Sequence, residues 1–471
     1  MLLPLLWLTV GCNGVDGGGT GEGSQQWRYA NLFGASVMSS FYLWNKEVAD
    51  AIDSWSYSDN PIEKVQQVRY KDDRWSMMTD DIESFLSAVN GTGKTFGFDY
   101  VLYLLEDNSV QMVVAYTFDG SPAAKAGLVR GDVITMLNNQ QMTFDNYVEV
   151  LTAAFSSDEM TLTDAGSRNI SLSAVQMYED PIQTVKTLSH AGRTIGYLHY
   201  TGFTPRSGED LPAVARQFKN AGVQDVILDL RYNGGGYVLT EQVLAALLAQ
   251  EGEVLAGSIY STEVYNSDVA AEVEDNTVRF STSINISSVA DSPQVVDVSD
   301  AILSPEHIYF IVSEGTASAS ESLIGCLAPY GDVTVVGKQT HGKFCSGIVL
   351  EAPSWYRSLG SQISPREMNL AVQATASWGI YVMISRFADK DGYTRCAPSG
   401  IVPDFDADDD PRDQVALGDP SEPMLAAVLA LIDGDQSQAV RRPAARRSSF
   451  RLLPKPEPSL PGRVAIGALP F

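Results

Sequence analysis

The pattern of apolar and polar positions changes twice along the ordered part of the chain. Residues 30–92 hold stretches of helical period separated by polar breaks, which predicts a small N-terminal helical domain without catalytic residues. Short β-rich runs follow over residues 93–178. Residues 179–435 then alternate apolar strands with amphipathic helices, which is typical of an α/β domain. We therefore expect three domains in series.

The two ends of the chain differ from these domains. The apolar run MLLPLLWLTVG is far shorter than the roughly 20 residues that span a bilayer, so residues 1–12 are interpreted as a signal peptide. No Lys or Arg precedes this run, and we expect the true start to lie upstream. Residues 13–29 are Gly-rich at first and predict a flexible tether. Residues 436–471 carry seven basic side chains, one acidic side chain and six prolines, which predicts a disordered tail.

Composition narrows the possible functions. The 471 residues include 58 acidic and 32 basic side chains, giving a net charge of −26. This balance repels phosphate backbones and disfavours nucleic-acid binding. Four cysteines without a Cys-x-x-Cys pair or a His/Cys cluster indicate neither a disulfide scaffold nor a zinc site. The sequence implies no metal and no organic cofactor.

The β-rich region contains the segment SPAAKAGLVRGD at 121–132. This segment resembles the PDZ domain of bacterial proteases, which implies a PDZ domain over residues 93–178 that binds an extended peptide beside an edge strand. The loop Phe96-Gly97-Phe98 would then receive the peptide carboxylate, and plain core packing is the alternative for the two phenylalanines. The spacing also predicts one apolar helix face at four positions: Phe144, Val148, Leu151 and Phe155.

Three segments of the α/β region indicate catalytic chemistry. In EGTASASESLIG at 314–325, a strand meets a Ser/Ala-rich turn and a helix, so a serine hydroxyl would lie at a helix N-terminus. The run LDLRYNGGG at 228–236 ends in glycines whose N–H groups can face an oxyanion. Lys343 is a possible general base if burial depresses its pKa. Taken singly, these features are also typical of a helix cap, a tight turn and a surface lysine.

Together the three segments resemble the C-terminal processing (tail-specific) serine peptidases, a Ser/Lys family with a crotonase-like α/β catalytic domain. The serine ahead of Ala319-Ser320-Glu321 is Ser318, and Lys343 follows it by 25 residues. The GIVPD segment at 400–404 extends the resemblance, and YLW at 42–44 with DRWS at 73–76 is similar to a lipoprotein branch of the family. The implied fold is this catalytic domain behind a PDZ domain and a small N-terminal helical domain.

The resemblance implies an extracytoplasmic serine endopeptidase that acts on the C-terminal tails of protein or peptide substrates. Ser318 would be the nucleophile and Lys343 its base. The remaining implied residues are the oxyanion donors and the family's glutamate, which could equally cap the helix: Ala319, Gly235 or Gly236, and Glu321. Many members carry a supporting glutamine four residues after the lysine, where this chain has Gly347. That difference motivates the alternative of an inactive peptide-binding scaffold.

Histidine and cysteine leave further alternatives open. His199 or His341 could serve a Ser-His mechanism instead of the lysine. The resemblance implies that Cys12 is lipidated and anchors the protein to the membrane of the cell envelope or periplasm; an ordinary secretory signal is the alternative. One disulfide, with Cys345–Cys396 preferred, is plausible outside the cytoplasm, leaving Cys326 in a helix.

Overall fold

The computed structural model describes residues 22–287, 294–435, 450–455 and 465–466. The predicted signal peptide and its Cys12 lie outside these residues. A helix begins at Glu22, inside the stretch 13–29 that was predicted to be a tether. The prediction is wrong for residues 22–29, because Tyr29 is already buried in a core. Within the described part of the chain, no helix combines the length and the apolar character needed to cross a membrane.

The N-terminal region consists mainly of helices that pack on the α/β domain, which the sequence predicts to be catalytic and which is called the catalytic domain below. Its elements are α1 (Glu22–Ser40), α2 (Ala49–Asp53), α3 (Pro61–Val68), β1 (Met77–Thr79) and α4 (Ile82–Val89). Strand β1 pairs antiparallel with a strand at Gly379–Asp389 of the catalytic domain. Phe33 and Trp55 lie in the same hydrophobic core as Ile380 and Tyr381. This region therefore helps to build the catalytic domain.

The PDZ region is a small sheet closed by a helix around its own core. Its elements are β2 (Thr92–Thr95), β3 (Phe98–Leu105), β4 (Val110–Thr117), α5 (Pro122–Lys125), β5 (Val133–Leu137), β6 (Gln140–Gln141), α6 (Tyr147–Phe155), β7 (Glu159–Asp164), β8 (Asn169–Ser173) and β9 (Val175–Tyr178). Helix α6 begins at Tyr147 and buries Val150, Leu151 and Ala154. The predicted apolar face is confirmed for Leu151 and Phe155, which pack in the PDZ core, and is wrong for Phe144 and Val148, which are exposed.

The catalytic domain begins at Ile182 and follows the predicted alternation of strands and helices. Its elements are β10 (Ile182–His190), β11 (Arg193–Tyr200), α7 (Pro205–Asn220), β12 (Asp225–Asp229), β13 (Gly236–Tyr237), α8 (Val238–Leu248), α9 (Glu251–Ala256), β14 (Ile259–Tyr265), α10 (Ser267–Ala270), β15 (Thr277–Arg279), β16 (Ser283–Asn285), β17 (Val295–Asp297), β18 (His307–Val312), α11 (Ala319–Leu327), β19 (Asp332–Gly337), β20 (Cys345–Glu351), α12 (Ala352–Ser358), α13 (Pro365–Ala374), β21 (Gly379–Asp389), β22 (Phe405–Asp406) and α14 (Pro423–Ile432).

One sheet of this domain is parallel except at its first strand, with the order β10-β11-β12-β18-β19-β22. Alternate residues of its strands enter separate cores. Leu228 and Phe310 belong to one core with helices α7, α8 and α11, whereas Ile227 and Ile311 belong to another with α14. A strand that is covered on both faces is apolar at nearly every position, which is why these runs were recognisable in the sequence.

A second sheet contains one strand that comes from the C-terminal tail. Its order is β13-β24-β20-β21-β14-β15, where β24 is Ala465–Ile466. The other tail strand, β23 (Phe450–Leu453), pairs with β3 of the PDZ region. The expectation of a disordered tail is wrong for these residues, because each strand completes the hydrogen bonding of a sheet formed by other parts of the chain.

Candidate active site

Ser318 lies between β18 and α11, where the sequence predicts a nucleophile. It is the N-cap residue of α11 and has φ 63° and ψ −116°. A positive φ is strained for a residue with a side chain, and such strain is found mainly at functional sites. Its Oγ is fully buried and has no hydrogen-bond partner among the residues that the structure describes. An unpaired buried hydroxyl is costly, so this side chain is a candidate functional group.

Lys343 lies in the loop before β20 and is fully buried. Burial lowers the pKa of Lys343 to about 8, because desolvation disfavours the ammonium form. Its Nζ donates a hydrogen bond of 2.8 Å to the hydroxyl of Tyr381 on β21. The lysine therefore has the depressed pKa that the predicted role of general base requires.

Glu321 joins the nucleophile to the lysine. Its Oε2 accepts hydrogen bonds from the backbone N–H of Ser318 at 2.9 Å and from that of Lys343 at 2.8 Å. Its Oε1 accepts one from the N–H of Gly342 at 2.7 Å. Burial raises the pKa of Glu321, although these hydrogen bonds oppose the shift. Glu321 caps helix α11, which is the alternative role expected from the sequence, and it also fixes the loop that carries the lysine.

The glycine-rich turn after β12 lies beside the nucleophile. The N–H of Ala317 donates to the carbonyl of Asn233 at 3.1 Å, and Ser320 Oγ donates to the same carbonyl at 3.3 Å. The N–H of Gly235 donates to Asn233 Oδ1 at 2.9 Å, so Gly236 is the better candidate for an oxyanion donor. Gly236 has φ 145°, and a Cβ there would lie 2.3 Å from the carbonyl oxygen of Phe203. The position therefore requires glycine.

Two aromatic residues at the lysine were not predicted. Lys343 Nζ lies 4.9 Å from the ring centroid of Tyr381 and 5.7 Å from that of Trp75. Trp75 belongs to the N-terminal region, where the sequence indicated no catalytic residue. Asp73 Oδ1 fixes it by accepting from the N–H of Trp75 at 2.8 Å and that of Ser76 at 2.9 Å. The DRWS segment at 73–76 was visible in the sequence, but its proximity to Lys343 could not be predicted from the sequence.

Gly347 occupies the position where many relatives would have the supporting glutamine. A Cβ on Gly347 would lie 2.7 Å from Cε2 of Tyr381 and 2.5 Å from Cε of Met383. The ring of Tyr381 thus fills the space beside Gly347, and its hydroxyl accepts the hydrogen bond of Lys343. A residue from a neighbouring strand therefore contacts the lysine where the glutamine is missing.

The two candidate histidines do not bond to the nucleophile. His199 is buried between the rings of Tyr116 and Tyr232, at centroid distances of 5.5 and 6.3 Å, and burial lowers its pKa to about 4. His341 lies nearer the site, with its ring 6.3 Å from that of Trp75. Since Ser318 Oγ has no partner within the described residues, neither ring forms the hydrogen bond of a Ser-His pair.

The predicted carboxylate loop of the PDZ region is largely internal. Phe96 and Phe98 are 3% and 7% exposed and belong to the PDZ core, as the alternative of core packing held. The N–H of Gly97 donates to Thr95 Oγ1 at 2.9 Å, and its carbonyl accepts from Ser121 Oγ at 2.9 Å. The side chains of this loop therefore support the domain.

The preferred disulfide is not present. Cys326, Cys345 and Cys396 are all buried free thiols. Cys396 Sγ instead lies 3.8 Å from the carbonyl oxygen of Lys343. Cys326 lies in helix α11, as expected.

Two family models match the chain in the regions just described. Residues 194–407 match the model of peptidase family S41, and residues 113–158 match that of the PDZ domain. A crystal structure of an S41 protease from Bacteroides fragilis NCTC 9343 superposes with a TM-score of 0.64 at 20% identity, covering 85% of this chain and 97% of that one. The similarity supports the fold.

Curated relatives are named for carboxyl-terminal processing. The carboxyl-terminal-processing protease of Synechocystis is 28% identical over 272 residues, which are 54% of this chain and 54% of the relative. The carboxy-terminal processing protease CtpB of Bacillus subtilis is 24% identical over 267 residues, covering 55% and 48%. The chloroplastic peptidase 3 of Arabidopsis thaliana is 27% identical over 253 residues, covering 50% and 44%. This chain thus spans about half the length of the curated relatives it matches.

Proposed function

We propose that the protein is a serine endopeptidase that recognises protein tails and cleaves peptide bonds with Ser318 and Lys343. Residues 194–407 match the model of peptidase family S41, which supports this proposal. The observation that carries this proposal is the double hydrogen bond of Glu321 Oε2. It holds a strained serine and a buried lysine of depressed pKa in one site. A buried amine with a pKa near neutral is suited to proton transfer at physiological pH.

The proposed reaction proceeds through an acyl-enzyme. Neutral Lys343 takes the proton of Ser318 Oγ as the oxygen attacks the scissile carbonyl carbon. The N–H groups of Ala319 and Gly236 stabilise the negative oxygen of the tetrahedral intermediate. Lys343 then gives its proton to the departing amine. Water, activated by the same lysine, hydrolyses the ester and restores the serine. The missing Ser-Lys hydrogen bond does not exclude this route, since catalytic hydrogen bonds often tighten only when substrate is bound.

The substrates we propose are proteins or peptides with accessible C-terminal tails. An extended tail would pair with strand β3 of the PDZ region, in the place that β23 occupies in this structure, where main-chain hydrogen bonds bind it without demanding one sequence. The PDZ region would thereby select or gate the chains that reach Ser318. Its deletion should change the choice of protein substrate more than the cleavage of a short peptide.

We also propose that the protein works outside the cytoplasm, anchored to the envelope membrane through a lipid on Cys12. The support is the apolar run that ends in Gly11-Cys12 and the Gly-rich stretch that follows it. Cys12→Ser should move the protein from the membrane fraction to the soluble fraction. Equal fractionation of the wild type and the variant would contradict the anchor and leave the peptidase proposal untouched.

The direct test is cleavage of an unfolded protein with an apolar C-terminus. Ser318→Ala and Lys343→Ala should each reduce kcat by several orders of magnitude, because both residues take part in every bond-breaking step. His341→Ala, beside the same site, should retain activity. Loss of cleavage in Ser318→Ala but not in Lys343→Ala would contradict the lysine's role. Binding of the tail by the wild type without cleavage would instead support the alternative of an inactive scaffold.

A further inference from the structure

The described part of the C-terminal tail extends the PDZ sheet. Strand β23 runs antiparallel to β3, from Phe450 opposite Leu105 to Leu453 opposite Leu102. Without β23, β3 would be the edge of its sheet. Edge strands bind extended peptides through their main chain, and this is the mode of peptide capture in PDZ domains. A segment of the chain itself therefore occupies the surface that is expected to bind a substrate.

Side chains of the tail also contact the PDZ region. Leu453 is 8% exposed and joins the PDZ core, whereas its neighbour Leu452 is 52% exposed. Lys455 forms an ion pair with Asp99 at the start of β3. Its Nζ also lies 4.8 Å from the ring centroid of Tyr100. The tail thus contributes an apolar anchor and a charged anchor, in addition to its main-chain hydrogen bonds.

A later segment of the same tail lies in the catalytic domain. Strand β24 runs parallel to β13, with Ala465 opposite Gly236 and Ile466 opposite Tyr237. Ile466 is also paired with Gly347 of β20. Gly236 is the candidate oxyanion donor, and Gly347 follows the lysine in the chain. The tail therefore lies between the two strands that flank the catalytic residues.

The exposure of the catalytic residues is consistent with an occupied cleft. Ser318 and Lys343 both have 0% relative exposure in the structure that includes β24. A scissile carbonyl must come into contact with Ser318 Oγ, so part of the surrounding structure has to move before a substrate can react. Strand β24 is bound to β13 on one side and to β20 on the other. Its departure would uncover the cleft between them.

Charge favours this association. The chain has a net charge of −26, yet residues 436–471 carry seven basic side chains and one acidic side chain. A basic segment is attracted to the acidic remainder of the molecule. Because the segment is covalently attached, its binding beside β3 is intramolecular and needs no second molecule.

We propose that the C-terminal segment of this chain is an intramolecular ligand of its own PDZ groove and catalytic cleft, and that it restrains the peptidase until a substrate tail displaces it. This inference rests on the proposed function, since it names a ligand and a regulator of that site. The substrates that displace the tail would share its chemistry: an extended, apolar segment with a basic residue at the position of Lys455.

Two leucines of β23 provide a matched test in the full-length protein. Leu453→Asp places a carboxylate in the PDZ core contact and should release the tail, raising kcat/KM for an unfolded protein about fivefold or more. Leu452→Asp places the same carboxylate on the exposed side of the strand and should stay within about twofold of the wild type. Equal activity of the two variants would overturn the inference.

The ion pair supplies a test that does not depend on one substitution being tolerated. Lys455→Asp opposes Asp99 with a like charge and should also raise kcat/KM. Combining it with Asp99→Lys restores an ion pair of reversed sign and should return the activity toward that of the wild type. An activity of the double variant that remains as high as that of Lys455→Asp would contradict the docking geometry.

A measurement independent of catalysis separates failure of this inference from failure of the proposed function. In the Ser318→Ala background, amide hydrogen exchange should show protection of those β3 amides that face β23, and Leu453→Asp should remove it. The amides of β7 and β8 should stay protected, which reports that the PDZ region remains folded. If protection changes as expected but no variant cleaves any protein, the peptidase proposal fails and the tail ligand stands. If cleavage occurs but β3 is never protected, only the tail ligand is overturned.

Discussion

Lys343 is a cation in a site built of aromatic rings, and its environment sets the working pH of the protein. Burial lowers its pKa to about 8, whereas an unperturbed lysine titrates near about 10.4. The rings of Trp75 and Tyr381 favour the charged form but do not cancel the cost of desolvation. A substantial fraction of the amine is consequently neutral just above physiological pH.

The first prediction concerns the pH dependence of cleavage. The active form of Lys343 is the neutral amine, and the neutral fraction grows as the pH rises, so kcat/KM should increase and level off above about pH 8. Initial rates between pH 5.5 and 9.5, on a substrate without groups that titrate in this range, would test this. A rate limited by a group with a pKa near 6 would contradict the lysine and implicate a histidine.

The second prediction concerns the hydroxyl of Tyr381. Tyr381→Phe keeps the ring but removes the acceptor of the Lys343 hydrogen bond, and the amine loses its orientation. We expect kcat to fall about 10- to 100-fold. The pKa of the pH profile should also fall, because the ammonium form loses a hydrogen bond.

Tyr356→Phe is the matched control for that variant. It removes a buried hydroxyl that donates 2.8 Å to the carbonyl of Tyr29, within the N-terminal core. Both variants should cost similar stability, but only Tyr381→Phe should change the pH profile. An unchanged kcat and profile in Tyr381→Phe would show that the hydroxyl does not position the lysine.

Sequence reasoning identified only the part of the site that is encoded locally. Ser318, Glu321 and Lys343 lie in two short segments whose spacing is readable along the chain. Trp75 and Tyr381 reach the same site from distant parts of the chain, and the contact depends on how β1 pairs with β21. No periodicity or motif encodes such a pairing, so it became visible only in the structure.

At the scale of elements, strands β20 and β21 adapt to the absence of a glutamine. Their register shifts between Ser346 and Gly347, and the ring of Tyr381 fills the space beside Gly347. A glutamine at position 347 would therefore clash with Tyr381 and would not support Lys343.

The third prediction follows from that clash. A Cβ at Gly347 would lie 2.8 Å from the carbonyl oxygen of Val382, so Gly347→Gln should destabilise the protein by about 1–3 kcal/mol and lower its activity. Gly252→Gln is the control, because no atom lies within 4 Å of a Cβ there and glutamine favours helix more than glycine does. Urea unfolding measures both. A Gly347→Gln protein as stable and active as the wild type would contradict this packing argument.

Helices and strands could be predicted from the sequence where burial on both faces gives a continuous run of apolar residues. The strands of the parallel sheet are apolar on both faces and were recognised as runs. The predicted face of helix α6 is right at Leu151 and Phe155 and wrong at Phe144, which lies before the helix begins. Strands β23 and β24 were missed because they form on edges supplied by other regions, whereas the composition of the tail as a whole, rich in proline and arginine, indicated disorder.

At the scale of the molecule, a buried network joins the PDZ region to the catalytic domain. Arg130 Nη2 lies 2.5 Å from Asp409 Oδ1, and its Nη1 donates to the hydroxyl of Tyr232 at 3.1 Å. Arg231 also contacts Asp409, at 2.9 Å. Tyr232 immediately precedes the turn that ends in Gly236. The contact between the two domains is thus built on the same turn that supplies a candidate oxyanion donor.

The fourth prediction tests this network through its dependence on pH. The two arginines lower the pKa of the Asp409 carboxyl to about 2, against the cost of its burial, while an unfolded aspartate titrates near about 3.9. Because the folded pKa is the lower one, the stabilisation is complete above about pH 4 and is lost as the pH falls toward 2.

Arg130→Met should therefore lower the free energy of unfolding by about 2 kcal/mol at pH 7 and by roughly half as much at pH 3. Arg168→Met, which breaks an exposed ion pair with Asp164 of the same PDZ region, should leave the urea midpoint unchanged at pH 7. A penalty for Arg130→Met that is the same at both pH values would mean that Arg130 contributes packing and not charge to the contact between the domains.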